Sequence, residues 1–561
     1  MDAEPRRAVP ASAVVASSRV RARAAADGPL VPAYRCYVAH PLTDATSVAP
    51  RRRPPTSRAG SPVPAPAVRD VARRGVWRWI WPLLVVALVH LVVVNALALR
   101  WAPDAVNYRH LQTVSRYPRM ITPGDSWAVM EFALEQLRAP DPTPVYTAVF
   151  FRDRRKFQYP LTSLLPLPAV RQLVPERFGL RVPLNILSVL ALAGSALVLP
   201  RLATLGLRDA GVARFADGAA RDGLTRGEYA ALAALTTLLA ATFYPAIFAI
   251  SLGQIQAWLN ALFVGVLWCW LTGRKTSAGV LTALICLVKP HLGLLFLWGM
   301  LRREWTFVRA GLTVGAIGCA AAIAAWGLEN NLDYLPVMSF LGRYGEAYLP
   351  NQSPNGFLNR LLNDVDPLVW DKHGFAPFHP TVFAGTMAST VALCVGALAW
   401  PWLARRRRGV ARDVERGVAR AGAAARGATG TGVGSTLDLC IAAVSVTIAS
   451  PIAWQHHYGV LLPVFVYALA LAVRRRPLGR ATIPCLGAAY LLVANDVMYL
   501  VGCQVGLVGT MLQSYLLWGA LLLLAVLYAH VVRGSDAWSA ASAAPTNRAD
   551  PRGFPVGART P

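Results

Sequence analysis

From residue 76 to residue 532, long apolar runs alternate with polar connections. Runs such as 77–98 and 513–532 are nearly continuous and about 20 residues long, the length that spans a bilayer core as a helix. The pattern predicts twelve membrane helices, over 76–99, 181–203, 230–250, 253–272, 276–288, 290–302, 308–327, 380–403, 437–453, 456–473, 480–500 and 508–532. An even number puts both termini on the same side. Two spans are short. Thirteen helical residues rise about 20 Å, less than the roughly 30 Å hydrocarbon core. The tip between them, Lys289-Pro290-His291, is therefore expected below the membrane surface, in a cavity open to one side, because a charge at that depth must line protein or water.

Three polar stretches flank the spans. Residues 1–75 are rich in Ala, Pro and Arg with no apolar period, and read as a disordered basic tail. Residues 533–561 read as a second disordered tail, and 404–436, rich in Arg, Gly and Ala, as a loose loop. The multispanning domain is 76–532. Its connections 100–180 and 328–379 are large. Within the first, Trp127, Met130, Leu134 and Leu137 recur at helical spacing and predict an amphipathic helix over 126–138. The apolar stretch 161–173, broken by Pro166 and Pro168, reads as lying on the membrane surface, with a short crossing as the alternative.

Composition agrees with a membrane protein: 55% hydrophobic, 15% charged, mean hydropathy +0.41. The net charge of +27 does not point to nucleic acid, because the Lys and Arg concentrate in alternate connections. The Arg run 405–408, Arg474-Arg475-Arg476, Arg302-Arg303 and Arg274-Lys275 fall on one side, which the positive-inside rule makes cytoplasmic. That choice sets both termini inside and sends 100–180 and 328–379 outward. It also puts Asp125, Tyr159, Gln254, Lys289, Asn351, Gln352, His456 and His457 at or below the outer face, so one outward site is expected. No C-x-x-C occurs among the eight cysteines, and they read as small buried hydrophobes.

Several residues in these connections have the chemistry of a site. Asp125 begins the amphipathic helix, and is either an N-cap or a general base held over the cavity; Asp104 is the competing carboxylate. Arg152, Arg154, Arg155 and Lys156 crowd together, as a headgroup anchor or a phosphate site. Lys289 and His291 occupy the hairpin tip. His456-His457 sit where the chain turns back into the membrane, as capping groups or as site residues, and without a carboxylate partner they are a weak metal signal. Asn351-Gln352 lead on to Asn355, Gly356 and Arg360 toward the same face.

Taken in order, these motifs resemble glycosyltransferase family 87, membrane mannosyltransferases that use polyprenol-phosphate mannose and have the multispanning GT-C architecture. The matching elements are Asp125 with Pro144-Val145-Tyr146, Phe157-Gln158-Tyr159-Pro160, Gly253-Gln254, Lys289-Pro290, Asn351-Gln352-Ser353 with Arg360, and Ser450-Pro451 with Trp454-Gln455-His456-His457. Leu161 stands where the family has a second proline, and the stretch after Asp125 lacks the family's tyrosine. The resemblance implies an all-α GT-C-like bundle of about twelve transmembrane helices in a bacterial inner (plasma) membrane. It implies transfer of a hexose, mannose by family, from a lipid-linked phosphate donor to a glycolipid or glycan acceptor. Asp125 would be the base. Lys289, His456, His457 and Arg360 would face the donor phosphate, and Gln254, Asn351, Gln352 and Tyr159 the substrate. Arg154, Arg155, His291 and Asp104 are further candidates. No metal, cofactor or nucleic acid is expected; the partners are membrane lipids and the two substrates. The rival reading is a transporter or flippase of lipid-linked substrates, against which the missing internal repeat counts.

Overall fold

The computed structural model describes residues 65–101, 124–175, 179–209, 224–371, 373–415, 433–474, 481–501 and 506–543. Asp104, most of the N-terminal tail, the stretch 416–432, Arg475-Arg476 and the last residues of the C-terminal tail lie outside them.

The described residues are helical, and their only bridge is an isolated one. In chain order come α1 (Ala65–Trp101), α2 (Asp125–Gln136), α3 (Leu167–Leu173), α4 (Arg181–Asp209), α5 (Arg226–Thr242), α6 (Tyr244–Ser251) and α7 (Gln256–Leu271). Next are α8 (Lys275–Cys286), α9 (Leu294–Leu301), α10 (Trp305–Leu332), α11 (Tyr334–Tyr344), α12 (Pro354–Leu362) and α13 (Pro380–Glu415). Last come α14 (Val433–Ala449), α15 (Leu461–Arg474), α16 (Thr482–Val493), α17 (Met498–Val501), α18 (Gly506–Gln513) and α19 (Tyr515–Ala543).

Four helices are long and apolar enough to cross a bilayer: within α1, α4, α10 and α13. Two bent pairs, α5 with α6 at 52° and α18 with α19 at 60°, make six if each counts as one span. The twelve spans expected are thus not twelve full-length helices among the described residues. Several are apolar helices of 10–17 residues, among them α7, α8 and α16, and even 17 residues rise only about 25 Å. The apolar window of α1 is 6% buried inside the protein, so its apolar face is left for lipid.

Other boundaries shift too. Helix α1 begins at Ala65, inside the expected tail. Helix α13 runs to Glu415 and α19 to Ala543, so part of the expected loop and C-terminal tail is helical. The stretch 161–173 is not a crossing. A 3-10 turn, Leu161–Leu164, and the seven-residue α3 bury Leu161, Leu164 and Leu167 in protein, and the Thr162 hydroxyl donates to the Leu287 carbonyl.

Two apolar cores organise the chain. The larger gathers α4, α7, α8, α9, α14, α15, α16 and α19. The smaller caps one end of the bundle: Trp127, Met130 and Leu134 of α2 pack with Tyr146, Phe150, Phe157, Leu161, Ala322 and Val337. The connection that follows α2 is moored to the α10–α11 junction. The Asp333 carboxylate accepts from the Tyr146 and Thr147 backbone N–H, both at 2.8 Å, and Asn330 accepts from Val145 N–H at 2.9 Å. This accounts locally for the Pro144-Val145-Tyr146 element.

The α8–α9 hairpin is short, as its length predicts. It packs tightly on α10, and a Cβ at Gly279 would come within 2.2 Å of the Phe307 carbonyl oxygen, so only glycine allows this approach. At the hairpin base Arg302 is not a free cation. Its Nε donates to Asp438 Oδ2 at 2.6 Å and its Nη2 to the Leu398 carbonyl at 2.9 Å, while Trp298 Nε1 donates to the same carboxylate at 3.1 Å. The six cysteines among the described residues are free.

Candidate active site

At the capped end of the bundle lies a cavity of about 230 Å³. The hairpin tip, Val288 to His291, forms one wall and the turn from Ser450 to His457 another. Asp125 and Gln254 line it too, Lys156, Gln158 and Tyr159 come from the connection after α2, and Trp370 and Tyr334 are also in the lining.

Asp125 is held by backbone as well as side chain. Gly124 and Gly253 both adopt left-handed φ, 68° and 69°, a conformation open to glycine without strain. The two turns dock: Asp125 N–H donates to Leu252 O at 2.9 Å and Ser126 N–H to Gly253 O at 3.2 Å. Gly124, not Asp125, occupies the N-cap position, and Asp125 is the first helical residue. Its carboxylate is left for the cavity, where the Gln254 side-chain amide donates to it. Gln254 is oriented in turn, because its Oε1 accepts from Ser126 Oγ at 2.5 Å and Tyr159 OH at 3.1 Å. The accessible surface of Asp125 opens into a walled cavity rather than bulk water. Desolvation therefore raises its pKa, partly offset by the Gln254 bond and the Lys156 charge.

Across the cavity, Lys289 is 8% exposed and pairs with no carboxylate among the described residues. Its ammonium meets His457 Nε2, so a neutral His457 carries its proton on Nδ1. His456 lies beside His457, their ring centroids 4.7 Å apart, and His291 lines the same wall. Lys289 and three histidines thus share one cavity with the Asp125 carboxylate.

Asn351, Gln352 and Arg360 lie elsewhere. All three are buried outside the lining, with every side-chain polar atom bonded to protein except Arg360 Nε. Asn351 donates to the Glu346 and Pro451 carbonyls and accepts from Ala453 N–H. Gln352 donates to the Leu349 and Gln513 carbonyls, at 2.7 and 2.8 Å, and accepts from Leu516 N–H. Arg360 donates to Asn351 O and Ser514 Oγ, both at 2.8 Å. With the Asn351–Trp454 bridge, they hold the turn that presents His456 and His457. Arg154 and Arg155 are exposed outside the lining, with Arg155 stacked on Phe132 at 3.8 Å.

The member of that basic run that does face the cavity is Lys156. It bonds Glu346 at 2.8 Å and sits 3.8 Å from the Trp370 ring centroid. Burial lowers the Lys156 pKa and raises that of Glu346, each opposed by the other's charge. From sequence, Lys156 appears only as one of a basic run and Trp454 only as part of a motif, and Trp370 is not named. The signal that finds them is convergence in space, since they come from three distant segments.

The chain is thus a helical membrane protein with a polar, charge-bearing cavity at one end of its bundle. Residues 157–429 match the model of glycosyltransferase family 87. No curated protein matches the chain. The family match supports a membrane glycosyltransferase. It covers Tyr159, Gln254, Lys289, His291, Asn351, Gln352 and Arg360, while Asp125 and the His456-His457 pair flank it.

Proposed function

We propose that the protein transfers a hexose, mannose by the family resemblance, from a polyprenyl-phosphate donor to an acceptor hydroxyl on the extracytoplasmic face of a bacterial plasma membrane. The observation that carries this reading is that Asp125 lines one cavity together with Lys289, His291, His456 and His457. Asp125 takes the proton of the acceptor hydroxyl, whose oxygen attacks the anomeric carbon. The bond from that carbon to the donor phosphate breaks from the opposite face, so configuration inverts. A polyprenyl monophosphate leaves, and its growing charge is met by Lys289 and the neighbouring histidines, fixed in place before reaction. Gln254 and Tyr159 orient the base. Trp370 and Trp454 line the place of an acceptor sugar. Asn351, Gln352 and Arg360 act as braces in this scheme. It assigns no metal and no cofactor.

The test is transfer by purified protein in nanodiscs, with radiolabelled polyprenyl-phosphate mannose and glucose and a nucleotide sugar as donors and glycolipids as acceptors. The expected result is transfer from the lipid-linked donor alone, with a β-linked mannosyl phosphate giving an α-mannoside. Retention of configuration, or transfer from the nucleotide sugar, contradicts the mechanism.

A further inference from the structure

Asp496 is a carboxylate that this chemistry leaves unused. It lies in the turn between α16 and α17, 2% exposed within the helical bundle, and no cation pairs with it among the described residues. An acid buried in a membrane bundle is costly, and such residues mark function. A capping role explains only part of its surroundings. Met498 N–H donates to Oδ1 at 2.9 Å, as a turn aspartate would accept. Tyr515 OH also donates to Oδ1, at 3.0 Å. Gln455 Nε2 further donates to Tyr515 OH at 2.9 Å. The donors thus form a chain, from Gln455 to Tyr515 to Asp496, that joins three separate elements.

One of those donors adjoins the site. Gln455 opens the 3-10 turn Gln455–Val460, which carries His456 and His457 into the cavity. Tyr244 stacks on Phe248, which in turn lies 6.3 Å from the His456 ring. The carboxylate is therefore tied to the histidine turn through Tyr515 and Gln455.

We propose that Asp496 is a positioning residue that acts through Gln455 to hold His456 and His457 where the lipid-linked phosphate binds. The inference rests on the transfer reading for the identity of that ligand. The test is binding of polyprenyl phosphate, without sugar, to nanodisc-embedded wild type, Asp496→Asn, Gln455→Ala and the double variant, with thermal unfolding of each. Asp496→Asn keeps the size of the side chain and Gln455→Ala leaves the carboxylate, so the proposal survives one variant failing to fold.

The expected result is at least tenfold weaker binding in each single variant. The double variant should be little worse than either, because the two residues act as one unit. Asp496→Glu should recover part of the loss. Wild-type binding that persists unchanged in folded Asp496→Asn or Gln455→Ala overturns the positioning role alone. Additive losses in the double variant overturn the route through Gln455. Absence of binding by wild type overturns the donor reading and this inference with it.

Discussion

Lys289→Met separates a site residue from a structural one, because the two roles predict opposite changes in stability. Lys289 is 8% exposed, faces the cavity, touches His457 and has no carboxylate partner among the described residues. Methionine keeps the length of the stem and removes the charge. In the mechanism proposed, the ammonium acts on charge that develops at the leaving phosphate. Loss of one such preorganised group costs about 10²–10³ in kcat, or about 2.7–4 kcal/mol. Stability should move the other way. A lysine in the middle of a membrane helix costs roughly 2.5–3.5 kcal/mol. Cavity water and the His457 contact offset part of this, so the variant should gain about 1–2 kcal/mol. The assay pairs single-turnover transfer with thermal unfolding, read by tryptophan fluorescence in the same nanodiscs. Loss of activity with a raised Tm is the expected pair. Loss of both refutes the reasoning, because it makes Lys289 a pillar of the hairpin tip, and full activity refutes the role at the phosphate.

Two further outcomes follow from charges away from the hairpin tip. Desolvation raises the Asp125 pKa and the Lys156 charge opposes the rise. Transfer should therefore fall on acidification at a pH above the ordinary carboxylate range, and the Lys156→Met, Glu346→Gln pair should move that limb higher still, as a pH–rate profile would show. A carboxylate whose folded pKa is raised contributes stability at low pH that is lost as pH rises through that pKa, so Asp125→Asn should unfold at a higher temperature at neutral pH. At the hairpin base, Arg302→Met alone takes the cation away from the buried Asp438 carboxylate, a cost of about 3–5 kcal/mol, whereas Arg302→Met with Asp438→Leu should recover most of it in denaturation curves.

How legible these features were depends on whether a local rule governs them. Length and apolarity alone announced the short hairpin, because thirteen residues cannot cross a bilayer. The spacing of Trp127, Met130 and Leu134 announced α2. The count of crossings did not carry over so simply, because an apolar run says nothing of the bends at Phe243 and Ser514, where α5–α6 and α18–α19 break. At the site, Asp125, Gln254, Lys289, His291, His456 and His457 could be named from the chain because polar groups stand out against apolar neighbours. The same contrast misdirected at Asn351, Gln352 and Arg360. A polar residue in an apolar context serves a ligand or a bend in the backbone, and only the fold shows that these three satisfy main-chain groups around the histidine turn. Lys156 cannot be told from its basic neighbours by sequence, for the converse reason. It sits in a basic run whose other members face solvent, and its partners Glu346 and Trp370 lie about 190 residues or more further along the chain.

The most direct test of the account is transfer of labelled mannose from polyprenyl phosphate to a panel of glycolipid acceptors by wild type and by Asp125→Asn, with folding of both verified. The account predicts transfer by wild type and its loss in a variant that folds and still binds donor. Transfer that survives the substitution would contradict the role of Asp125 and move the base elsewhere, first to Asp104. No transfer from any lipid-linked donor by folded wild type would contradict the reaction itself.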